Sequence, residues 1–118
     1  MSQFINLPKA AAMTKRFRDN KEAILATAYR NKNVLPLSET FERQAIDMLL
    51  AQPGAAFLRV YYGMDEDLKL HAILVAANSQ DEDILPVAQN ENGENGSVVE
   101  DANRCPPLCP PESPLNQS

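Results

Sequence analysis

Residues 55–78 read AAFLRVYYGMDEDLKLHAILVAAN, and the fold turns on how this stretch is taken. AAFLRVYYG and LKLHAILVAAN are rich in branched and aromatic side chains with a period of two, and the polar MDED next to Gly63 separates them. That pattern predicts a β-hairpin. If Arg59 lies across from His71 or in even register with it, Leu58, Val60, Tyr62, Leu70, Ala72 and Leu74 share an inward face. Arg59, Tyr61, Lys69 and His71 then share the other. A two-stranded ribbon is marginal alone, so helices must cover its apolar side, and DILPV at 83–87 offers a third short strand.

Upstream, the period changes to that of a helix. In PKAAAMTKRFRDNKEAILATAYR, Ala10, Met13, Phe17, Ile24 and Ala28 fall close to one stripe with Lys and Arg between them. Asn6 is placed to cap this helix, Pro8 suits its first turn, and Asn20 is a point where the run can break in two. In LSETFERQAIDMLLAQPG, Ser38 is a candidate cap, Glu39 and Glu42 favour the positive helix end, and Phe41, Ala45, Met48 and Leu49 form one face. Pro53 and Gly54 end it. The expected architecture is α+β: a small two-layer domain over residues 1–88, with N-terminal helices packed on the antiparallel hairpin. From Gln89, QNENGENGSVVEDANR is polar and glycine-bearing, with only a Val-Val pair to bury, and reads as a flexible acidic linker. Residues 89–118 are thus expected to be linker and disordered Cys/Pro-rich tail.

At 118 residues the chain has room for one modest core. No apolar run approaches the roughly 20 residues that span a bilayer, and the start lacks the order of a secretory signal, so the expected location is cytoplasmic. Two cysteines are too few for a disulfide scaffold, and in a reducing compartment both are expected as thiols. The net charge of −5 conceals an asymmetry. Residues 1–34 hold seven Lys or Arg against Asp19 and Glu22, a net +5, while residues 64–101 hold ten acids against Lys69, a net −9. Phe17 and Tyr29 alone interleave the basic residues, and an acidic chain repels phosphate at long range, so nucleic acid is not an expected partner.

Several kinds of chemistry have little to build on. One histidine and no GxSxG elbow argue against an ordinary hydrolase triad. Gly93 and Gly96 are followed by no Lys-Ser or Lys-Thr, so no phosphate loop is read there. Counting twelve-residue calcium loops from Asp65 puts Leu70 and Ala76 where glycine and glutamate belong, and from Asp81 it puts Pro86 and Asn92 there. His71 beside Arg59, Tyr61 and Lys69 is a candidate small-molecule or anion site, weighed against a plain exposed strand face. No catalytic residue is assigned and no cofactor is implied.

The ending RCPPLCPPESPLN, residues 104–116, is the sharpest local signal. If Cys105 to Cys109 follows an extended polyproline path, their Cα atoms stand roughly 12 Å apart. A disulfide needs less than about 7 Å, so bridging, or metal capture by both thiolates, requires the segment to turn. Arg104, Pro107 and Pro110 stand in the R-x-x-P-x-x-P order that aromatic grooves read from polyproline helices. LPLSETFERQAIDMLLAQPG, VYYGMDEDLKLHAILVAAN and RCPPLCPPESPLN together resemble a group of small uncharacterised bacterial proteins with a YYGMD hairpin and an RCPPxCPPxSPLN ending. That resemblance implies a soluble bacterial protein and brings no activity, cofactor or catalytic residue. The expectation is a non-enzymatic interaction module whose tail meets an unknown protein partner, the alternative being a thiol or metal protein acting through Cys105 and Cys109.

Overall fold

The computed structural model describes residues 3–85, 98–100 and 102–117. The protein is a mixed α+β fold with α1 at Leu7–Asn20, β1 at Ser38–Thr40, α2 at Arg43–Leu50, β2 at Phe57–Met64, β3 at Leu70–Ala77, β4 at Val98–Val99 and β5 at Asn103–Cys105. Strands β2, β3 and β4 form one antiparallel sheet in that order, and β1 pairs with β5 in a second, two-stranded sheet. The chain divides into two compact units: residues 1–38 with 104–118, and residues 39–103. This division does not run along the sequence as 1–88 followed by 89–118. The last fifteen residues belong instead with the first thirty-eight.

Unit two is built on the hairpin. Arg59 pairs with Val75 and Gly63 with His71, which is the even register that the alternation requires. Leu58, Val60, Tyr62, Leu70, Ala72 and Leu74 therefore do share one face. That face is only partly covered. Leu74 and Ala76 join fully buried Leu49 in the core, with Phe41, Ile46, Ala55, Ile84 and Val99 packed against them. Leu58, Val60 and Tyr62 on β2 remain exposed. Helix length supplies the reason: eight residues of α2 make about 12 Å of helix, while an eight-residue strand runs about 26 Å.

Helix α2 is shorter than its sequence pattern suggests. Ser38 does not cap it; Ser38–Thr40 is extended, and Glu42 occupies the cap position without a side-chain bond. Glu39 is committed to the sheet, where its Oε1 accepts the Ala72 amide at 2.7 Å. The buried face is Ile46 and Leu49, and Met48, expected inside, is exposed. The third strand is the Val98–Val99 pair, whose sequence reads as part of the linker. Of DILPV, Asp83 makes a single bridge to Ala77, and Pro86 and Val87 lie outside the described residues, as does the expected linker from Gln89 to Ser97.

Unit one begins as expected. The Asn6 side chain accepts the Lys9 amide at 2.8 Å, Pro8 sits in the first turn, and α1 ends at Asn20. The continuation forms only a short 3-10 turn at Thr27–Tyr29. Polar bonds tie residues 21–35 together: Lys21 Nζ reaches Glu22 and the Leu35 carbonyl, and Glu22 accepts the Asn31 amide. The Lys21 ammonium, foremost, holds the Glu22 carboxyl below the usual carboxylate range. Among the described residues, Val34 and Cys105 are this unit's buried apolar side chains. No helix among the described residues is long and apolar enough to cross a membrane.

Candidate functional site

The tail does not follow the extended path that its prolines suggest. Cys105 and Cys109 are joined in a disulfide with Cα atoms 4.5 Å apart, and among the described residues there is no free cysteine. The expectation of two thiols on a free tail therefore does not hold. The Cys105–Pro106 and Pro106–Pro107 peptide bonds are cis, and the Leu108 amide donates back to the Arg104 carbonyl at 2.9 Å, closing a tight turn. Spacing alone did not show this, because the estimate of roughly 12 Å rests on trans, extended prolines.

The ring is anchored at its Cys105 end. The Leu37 amide donates to the Cys105 carbonyl at 2.8 Å, and Arg104 Nη2 donates to the carbonyls of Asn33 at 2.5 Å and Val34 at 3.1 Å. Further along, Arg18 donates to the Leu115 carbonyl at 2.8 Å and to that of Gln117. Asn116 closes a last turn, accepting the Ser113 amide and donating to the Pro111 carbonyl. Arg104 is therefore engaged inside the unit, and the arrangement of Arg104, Pro107 and Pro110 is not the straight polyproline face that a groove would read. Pro107 and Pro110 themselves are exposed. The two cysteines differ in exposure: Cys105 is 2% exposed, whereas Cys109 is an exposed residue.

On the hairpin, the residues expected to form one anion or small-molecule site separate: Arg59 and Tyr61 join one cluster and His71 another, in which Lys69 takes part through its backbone amide. Arg59 Nη1 donates to Asp83 Oδ1 at 2.5 Å and Nη2 pairs with Asp81, while the Tyr61 hydroxyl donates to Asp83 Oδ2 at 2.6 Å. Asp83 thus fills the place an anion would take. The Tyr61 hydroxyl, and after it Arg59, hold the Asp83 carboxyl below its ordinary range; the same carboxylate pushes the Tyr61 phenol up.

His71 belongs to the other cluster. Its Nε2 lies 2.8 Å from Asp65 Oδ2, and its Nδ1 faces Glu39 Oε2 at 3.5 Å and Glu100 Oε1 at 3.6 Å. Asp65 also accepts the Asp67 and Lys69 amides with Oδ1, so the residue that turns the hairpin also orients the imidazole. The hydrogen bond to His71 is the main reason its carboxyl sits below the usual range. Three carboxylates around one ring make this a poor anion site. Among the described residues no group of three His, Cys, Asp or Glu side chains is arranged to hold a metal ion. The acids around His71 were missed in sequence because Glu39, Asp65 and Glu100 are far apart along the chain.

No family model, curated protein or solved structure matches this chain.

Proposed function

We propose that the protein is a non-enzymatic interaction module whose C-terminal clasp opens and closes with the redox state of Cys105 and Cys109. The observation that carries this reading is the asymmetry of the disulfide, which joins an exposed cysteine, Cys109, to a buried one, Cys105, in a five-residue ring. As a staple such a ring contributes little. Closing five residues removes about 2 kcal/mol of chain entropy, against about 4.7 kcal/mol for a loop of about 100 residues. A bond of small structural value that ends on an exposed cysteine suits exchange better than reinforcement.

The exchange starts with a small-molecule thiolate attacking Cys109 Sγ. The S–S bond breaks, and its electron pair leaves with Cys105 Sγ, which takes up a proton. A second thiolate displaces Cys109 from the mixed disulfide, leaving two protein thiols and one external disulfide. A cytoplasmic location fits this reading, because disulfides there are usually transient and redox-sensing. Opening the ring lets the already exposed Pro107, Leu108 and Pro110 leave the tight turn and straighten for a protein partner.

Mass-spectrometric mapping after brief exposure of the full chain to glutathione tests the reading. The expected adduct is on Cys109. An adduct confined to Cys105, or a disulfide that survives millimolar glutathione, contradicts it.

A further inference from the structure

Strand β2 has a free edge. The larger sheet runs β2, β3, β4, so β3 occupies one side of β2 and, among the described residues, no strand occupies the other. Which backbone groups face that edge follows from the ladder. The Asp65 amide donates to the Lys69 carbonyl at 3.1 Å, so odd-numbered residues of β2 exchange bonds with β3. Even positions of β3 point away from β2: the Ala72 amide goes to Glu39, and the Ala76 carbonyl accepts the Ile84 amide. The amides and carbonyls of Leu58, Val60, Tyr62 and Met64 therefore face outward, and among the described residues nothing bonds to them.

Exposed edges are usually blunted by lysine, proline or a bulge. Strand β2 has none of these. It reads FLRVYYGM, it pairs one-to-one with β3 along its length, and its single charge, Arg59, is held by Asp81 and Asp83. The four outward residues also carry exposed apolar side chains, with Tyr62 74% and Met64 61% exposed. A bare backbone edge beside an apolar strip is the surface on which another strand adds to a sheet.

We infer that this edge is filled by β2 of a second copy of the chain, antiparallel about a two-fold axis at Tyr61, giving one continuous six-stranded sheet. Self-complementarity selects this occupant. Only even residues have free backbone groups, so even must pair with even, and the register centred on Tyr61 sets Leu58 opposite Met64 and Val60 opposite Tyr62, each pair twice by symmetry. That alignment uses every outward group of both copies and makes about eight inter-strand bonds. Charge agrees with it. Arg59 falls opposite Gly63 rather than opposite itself, and diagonal to Asp65 in the acidic turn of the second copy. A strip about 26 Å long is narrow against the roughly 800 Å² per partner of a standard interface, so the dimer is weak, with Kd on the order of 10 μM. The surface lies wholly within unit two, so its failure leaves the redox reading untouched.

Sedimentation equilibrium of the oxidised full chain from about 1 μM to about 1 mM tests the inference, in about 0.5 M salt to screen the acidic surplus of unit two. A monomer–dimer equilibrium is expected. Amide exchange at Val60 and Tyr62 should slow as concentration rises, while Arg59 and Tyr61, bonded to β3, stay protected throughout. Val60→Pro removes an outward amide and no bond to β3, and should raise Kd about tenfold or more. Tyr62→Lys, which puts a charge on the edge at an exposed position, is the second variant if Val60→Pro does not fold, and the same shift is expected. A monomer at every concentration, an unchanged Kd in the folded Val60→Pro or Tyr62→Lys chain, or a dimer that leaves exchange at Val60 and Tyr62 unaffected would each overturn the proposal.

Discussion

Unit two carries thirteen Asp and Glu against three Lys and Arg, a net −10, and still closes an apolar core at Leu49, Leu74 and Ala76. Unit one has eight Lys and Arg against three acids, a net +5, and is tied by guanidinium-to-carbonyl bonds and one disulfide. Apolar burial is non-directional and indifferent to electron supply. A disulfide and a handful of directional bonds respond to redox state and to single substitutions. The proposed redox response belongs to the unit that lacks a large core, in keeping with functional motion concentrating in low-stability elements.

The largest expected effect breaks the apolar side of the contrast. Leu49→Ala removes the one large side chain that is fully buried among the described residues and should cost about 3 kcal/mol of unfolding free energy in urea. A loss below about 1 kcal/mol would mean that α2 is not holding the sheet. The covalent side comes next. Replacing both Cys105 and Cys109 with Ser should cost about 2 kcal/mol by the same measurement, the value of a five-residue ring. Arg104→Ala, which leaves the Asn33 and Val34 carbonyls without their donor, should cost about 1 kcal/mol and speed amide exchange in the tail even with the disulfide intact.

The smallest effect is electrostatic and belongs to unit two. The folded-state pKa values of Asp83 and Asp65 are depressed, so their contribution is fully present above the ordinary carboxylate range, about pH 4. It is lost as pH falls through the lower folded values. Tyr61 is raised, so its contribution is present below about pH 10 and fades as pH rises through the folded value. Comparing denaturation midpoints of the chain and of Asp83→Asn across acid pH checks the sign: the variant should show the shallower decline.

Much of the fold was legible where a local pattern had one physical solution. Alternation along 57–64 and 70–77 marked the hairpin, the even register it left conditional is the one formed, and Asn6, Pro8 and Asn20 marked both ends of α1. The misreadings share a cause, which is pairing with something distant. Ser38 looks like a helix cap until β5 pairs with the strand it starts, and Val98–Val99 looks like linker until β3 accepts it. The candidate site was half legible. Cys105 and Cys109 stood out, but whether they meet depended on a backbone turn that residue types do not declare. Arg59 and His71 were correctly placed on one face, yet their carboxylate partners come from four separate segments.

A partner recovered by the Cys105→Ser/Cys109→Ser double variant, and lost on truncation at Asp101, would tie the freed tail to docking; identical partner sets for both chains would remove that role. The opening of the clasp itself is tested most directly by amide hydrogen exchange on the full chain, oxidised and reduced, at one pH. Reduction should remove protection at Leu108, whose amide bonds to Arg104, and at Asn116, whose amide bonds to Ser113, while the β2–β3 ladder stays protected. Unchanged protection at Leu108 after reduction, or a loss spread equally over both units, would contradict a redox-operated clasp.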